Sequence, residues 1–103
     1  MTIKEFFEFI EKEMIPEGFA IMNSKGMAYS GQEDKLGNFK RCAKLADVSV
    51  EKSWFIYFVK HFDALSAYIR GEYKDSEKIK GRILDMINYL WLLAAILKEQ
   101  NKL

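Results

Sequence analysis

The chain has 103 residues, half of them hydrophobic and 15% aromatic, which excludes disorder and allows one domain (1–103) with a real but modest core. Lys and Arg number 16 and Asp and Glu 15, a net charge of +1, so the basic excess typical of nucleic-acid binders is missing and nucleic acid is not favoured. The lone Cys42 forbids an internal disulfide and fits a reducing compartment, no secretion-type leader opens the chain, and the apolar run Met86 to Leu97 is too short for a bilayer; a cytoplasmic protein off the membrane is expected.

In chain order, Thr2 and Glu5 form a capping-box pattern, followed by Ile3, Phe6, Phe7, Ile10 and Met14 at helical spacing. Pro16 and Gly18 are expected to end that helix. The stretch from Phe19 to Asp34 has no sustained period and reads as a loop with an extended turn. A second helix is predicted across residues 34–48, with Leu36, Phe39, Ala43 and Leu45 or Ala46 facing inward. Ser49 is a suitable N-cap for a third helix over about 50–70, and Gly71 stands where a helix C′ residue belongs. Asp75 or Ser76 is expected to cap a fourth helix over about 77–99. The fold class is therefore all-α, a four-helix bundle built on a long antiparallel hairpin of the last two helices. Both hairpin helices are apolar around more than one face, through Trp54, Phe55, Phe58, Phe62, Leu65 and Ile69, and through Ile83, Met86, Ile87, Leu90, Trp91, Leu93, Ala94 and Leu97. A small chain cannot cover two such helices alone, so a homo-oligomer, a dimer or a tetramer, is expected.

Polar residues interrupt these helices. Lys60, His61 and Asp63 sit among aromatics on the third, and Arg82, Asp85 and Asn88 step by three along the fourth. In an antiparallel hairpin the middle of the third helix passes the early turns of the fourth, so Lys60 or His61 is expected to meet Asp85, and ionised groups at such sites need partners. One reading is a salt-bridge network of Lys60 and Arg82 with Asp63 and Asp85 that sets helix register. The other is a ligand site for a phosphate and a flat base: Lys60 and Arg82 on phosphate oxygens, Asn88 on a base edge or ribose hydroxyl, Tyr57 or Tyr89 stacking, and His61, Asp85, Lys40 and Arg41 completing it. No glycine-rich phosphate loop, zinc spacing or Ser-His-Asp arrangement is apparent, so no cofactor, metal or catalytic residue is assigned.

The runs "GNFKRCAKLADVS", "YFVKHFDAL" and "SEKIKGRILDMINYLWLLAAIL" resemble a family of small phage and prophage proteins, over the region from Asp34 to the end. The pieces that carry it are Asn38-Phe39-Lys40-Arg41, Lys60-His61, and Glu77 with Arg82, Asp85, Asn88 and Tyr89. More distantly, the hairpin resembles the all-α MazG-like nucleotide pyrophosphatases, whose paired E-x-x-E and E-x-x-D motifs hold Mg²⁺ against a triphosphate. Here Arg82-Ile83-Leu84-Asp85 stands where the second motif would be, and the first is reduced to Asp63 beside Lys60 and His61. The resemblance thus implies a nucleotide site in the host cytoplasm, while the lost carboxylates weaken hydrolysis. Three functions follow: a binder of a nucleotide or nucleotide-derived ligand without turnover, such as a sequestered host signal; a divergent hydrolase drawing carboxylates from Glu33, Asp34 or Glu77; or a structural module that binds a host protein. The expectation leans to the first, and away from an enzyme.

Overall fold

The first helix is specified by its own cap. The Glu5 N–H donates to Thr2 Oγ1 at 3.0 Å and the Thr2 N–H donates to Glu5 Oε2 at 3.1 Å, a complete capping box that starts α1 (Ile3–Phe9). The chain is described here by a computed structural model covering residues 1–30 and 34–103, and the side chains of these except 25–30. Pro16 does not end the first helix, contrary to expectation. A π-helical segment (Ile10–Met14) precedes it, in which the Ile15 N–H bonds to the Ile10 carbonyl, and α2 (Ile15–Ser30) runs on directly. A proline at position 16 removes one bond and crowds the carbonyl four residues back; widening the ladder just before the ring accommodates both. The predicted loop from Phe19 is therefore helix as far as Ser30, and its remaining residues 31–33, Glu33 among them, lie outside the described residues.

Asp34 then turns the chain, its Oδ1 accepting the Leu36 N–H at 2.9 Å, into α3 (Gly37–Ala46). Leu36, Phe39 and Ala43 are buried as expected, whereas Leu45 and Ala46 are exposed. Leu45 lies off the face marked by Phe39 and Ala43, and Ala46 sits where the chain leaves the body through left-handed Asp47 (φ 56°). Ser49 caps α4 (Val50–Ile69) by accepting the Lys52 N–H at 3.1 Å, and Gly71 adopts the left-handed C′ conformation (φ 74°). The last helix, α5 (Ile79–Glu99), begins at Ile79 rather than Glu77, and neither Asp75 nor Ser76 caps it. Lys78 occupies the cap position, while Asp75 accepts the Glu77 N–H at 3.0 Å inside the connecting loop.

Helices α4 and α5 pair antiparallel. The Trp54 indole N–H donates to the Tyr89 carbonyl at 2.7 Å, Gln100 Nε2 donates to Glu51 Oε1 at 2.7 Å toward one end, and Arg82 reaches His61 toward the other. Leu36, Phe39, Trp54 and Ile96 form the dry centre, ringed by Val50, Phe58, Tyr89, Leu92 and Leu93. Trp54 stacks on Phe58 with ring centroids 4.9 Å apart. Helix α3 packs on α4, and α2 lies along α5. The fold class is all-α: the described residues form helices, turns and caps without a strand, and no helix among them is long and apolar enough to cross a membrane.

A candidate functional site in the hairpin

Among the described residues five polar side chains are buried, and four of them belong to one stretch of the hairpin: His61 on α4, with Arg82, Asp85 and Asn88 on α5. Asp85 is 2% exposed and Arg82 9%. The spacing by three that reads as a polar interruption of an apolar helix is thus the inward row of α5, facing α4 at Arg82 and Asp85 and α2 at Asn88.

Arg82 lies at the centre. Its Nη1 is 3.3 Å from His61 Nδ1, and its Nη2 donates to Asp75 Oδ2. A guanidinium has only donors, so His61 Nδ1 is the acceptor and carries no proton in this arrangement. Asp85 Oδ2 lies 3.7 Å from the same nitrogen, too far for a hydrogen bond. Glu77 Oε2 approaches Arg82 Nε at 3.4 Å, a charge contact without hydrogen-bond alignment. Gly81 leaves room for that approach, since a Cβ there would lie 2.6 Å from Glu77 Oε1. The Asp75 carboxylate, helped by Tyr73, raises the Arg82 pKa against the opposing effect of burial. Conversely, the Glu77 N–H and then Arg82 hold the Asp75 carboxyl below its ordinary value, with Lys60 adding its charge.

The remaining members have other tasks. Asn88 Nδ2 donates to the Gly18 carbonyl at 2.9 Å, so its buried amide joins α5 to α2. The Tyr89 ring lies 4.9 Å from the His61 ring and 6.1 Å from that of Phe39, packed into the core. Lys60 and Asp63 flank His61 but are exposed on α4, so Asp63 does not enter the buried network. Lys40 and Arg41 do not close a rim over this cluster. Lys40 pairs with Asp34 at 2.8 Å and with Glu99 at 2.6 Å. Glu99 lies seventeen residues beyond Arg82 on the same helix, about 25 Å along its axis. Arg41 is exposed on α3, where its charge reaches Tyr57. Asp34 and Glu77, two carboxylates that a hydrolase would need together, stand at these opposite ends. A shallow cleft lined by Asp34, Leu36, Ala95 and Lys98 lies at the Lys40 end, away from the cluster.

Chemically the cluster is a closed circuit. Arg82 meets Asp75 and Glu77, Lys60 acts on Asp75, and Asp85 lies beside His61; with three carboxylates to two cations, the field does not favour an added anion. Among the described residues no group of three or more His, Cys, Asp or Glu side chains is arranged to hold a metal ion. Two partners were not foreseen. Asp75 reads as a helix cap in sequence, and Gly18 as a helix terminator; both are conventional signals, and only the fold brings them to Arg82 and Asn88. No family model, curated protein or solved structure matches the chain.

Proposed function

We propose that the protein is a non-catalytic helical interaction module that self-associates through the outer face of the α4–α5 hairpin, while the buried polar cluster holds the two helices in register. The observation that carries this reading is a pair of apolar rows. On α4, Phe55, Phe58, Phe62, Leu65 and Ile69 follow steps of three and four, and on α5, Ile83, Ile87, Leu90, Ala94 and Leu97 do the same. Such 3–4 spacing is the pattern by which one helix meets another. Phe55 is 57% exposed, Phe62 52%, Ile69 76% and Leu90 51%, with Ile87 and Trp91 also open. These six side chains expose on the order of 600 Å² of largely apolar surface, taking a buried aromatic at about 150–250 Å², against about 800 Å² per partner in a standard interface. An apolar patch of that size on a chain of this length is a docking face. Phe62→Lys with Leu90→Lys tests it: the double variant should keep its helix content and lose association, and unchanged association would refute the reading.

A second reading keeps the phosphate ligand suggested by the resemblance to phage proteins and MazG-like enzymes, in a cytoplasmic setting. The observation favouring it is that Arg82 and Lys60 both act on one carboxylate, Asp75, in a surface loop, so a phosphate replacing that carboxylate would meet both cations. It must displace Asp75 from Arg82, which predicts that Asp75→Asn tightens binding. Calorimetric titration of a nucleotide panel against the wild type and Asp75→Asn, with and without Mg²⁺, tests it. Absence of heat in every combination would refute it.

A further inference from the structure

The outer face of the hairpin is not the only apolar surface without a covering. Helix α1 buries none of its side chains, and Ile3, Phe6 and Phe7 are exposed along it. Its direction is fixed, because Lys80 of α5 bonds Glu13 at 2.5 Å and Glu17 at 2.9 Å, anchoring the rod next to the π-helical segment. From Glu13 to Thr2 the rod extends about 16 Å, and a helix cannot fold back on its own body. As the free end of a continuous rod, this stretch leaves its apolar side in water.

The chain carries a surface of matching chemistry. Tyr57 joins α4 to α3, its ring 5.8 Å from Phe39 and its hydroxyl 3.3 Å from Cys42 Sγ. One turn on from Asn38 and Cys42 are Arg41 and Leu45, both exposed, on the side of α3 away from Lys40 and its α5 partner Glu99. On α4 the exposed Ile56 is one turn from Lys52 and from Lys60. Helix α3 holds Lys40, Arg41 and Lys44 and no carboxylate, whereas the first rod up to Met14 carries Glu5, Glu8, Glu11 and Glu13 against Lys4 and Lys12. An apolar surface with basic side chains and an apolar, acidic helix are thus present in one molecule, with no contact between them among the described residues.

We propose that α1 of one copy docks on the α3–α4 surface of a second copy, with Phe6 and Phe7 against Leu45 and Ile56, and Glu8 and Glu11 against Arg41 and Lys52. This rests on the self-association proposed above and assigns it a second contact. Two chains, both carrying Cys42→Ser, test it: one with Phe7→Cys, the other with Leu45→Cys, mixed under mild oxidation. A disulfide between positions 7 and 45 is expected, well above that formed when the second cysteine replaces exposed Lys102. Glu8→Lys with Glu11→Lys should cut its yield several-fold, and Arg41→Glu with Lys52→Glu in the partner should restore it. A 7–45 yield no higher than the Lys102 control, in chains that still associate, overturns arm docking and leaves the hairpin contact standing. Chains that stay monomeric overturn both.

Discussion

The side-chain amide of Asn88 donates to the main-chain carbonyl of Gly18 at 2.9 Å, and this one bond, spanning 70 residues of sequence, ties the first helical rod to the last. Both groups are buried. Removing the amide leaves the Gly18 carbonyl without that donor, so Asn88→Ala should destabilise the fold by about 1–3 kcal/mol in urea denaturation. A loss below about 0.5 kcal/mol would mean that water reaches this carbonyl.

Gly18 itself has the opposite expectation. A Cβ built on it would meet Asn88 Oδ1 and Leu84 Cδ2 at 3.6 Å, ordinary contact distances, and the residue lies within α2. Gly18→Ala should therefore stabilise by about 0.5–1 kcal/mol through the unfolded chain and helix propensity. Destabilisation would show that α2 and α5 pack more closely here than these distances allow.

Much of the architecture could be read from local signals. The Thr2 and Ser49 caps, Gly71 and the long periods of α4 and α5 are written in neighbouring residues, and they sit where they were expected. What escaped depended on tertiary context. Pro16 is a helix terminator by local rule, and only the π-helical segment ahead of it lets the helix pass. The polar row of α5 was visible as an anomaly, and His61, Arg82 and Asp85 do gather across the hairpin. Nothing local distinguishes Lys40 and Arg41 from cations at the rim of that row, and the fold sends Lys40 to Asp34 and Glu99 at the far end.

Asp85 is the most deeply buried charged residue of the cluster, 3.7 Å from the imidazole that accepts from Arg82. Asp85→Ala removes a buried carboxylate from the polar row that also holds Arg82, and a loss of about 2–4 kcal/mol is expected in chemical denaturation. A near-neutral effect would separate Asp85 from the register role.

The Asp75 carboxyl sets an acid limit. Its folded pKa is lowered below 3.8, chiefly by the Glu77 N–H and by Arg82. A lowered folded value means that the unfolded state binds the extra proton first, so stability rises with pH in the window between the two values. The stabilisation is complete above about pH 4, near the unfolded value, and disappears as pH falls through the folded value. Asp75→Asn should flatten the stability profile below about pH 4, seen by thermal melts across that range. A wild-type profile already flat there would contradict the pairing with Arg82.

The account turns on whether the outer face of the hairpin is covered by another copy. Sedimentation velocity of the wild-type chain at micromolar concentration measures this directly. The expected result is a species of at least twice the 12.1 kDa chain mass, converted to monomer by Phe62→Lys with Leu90→Lys. A single monomeric boundary for the wild type at every concentration would contradict it.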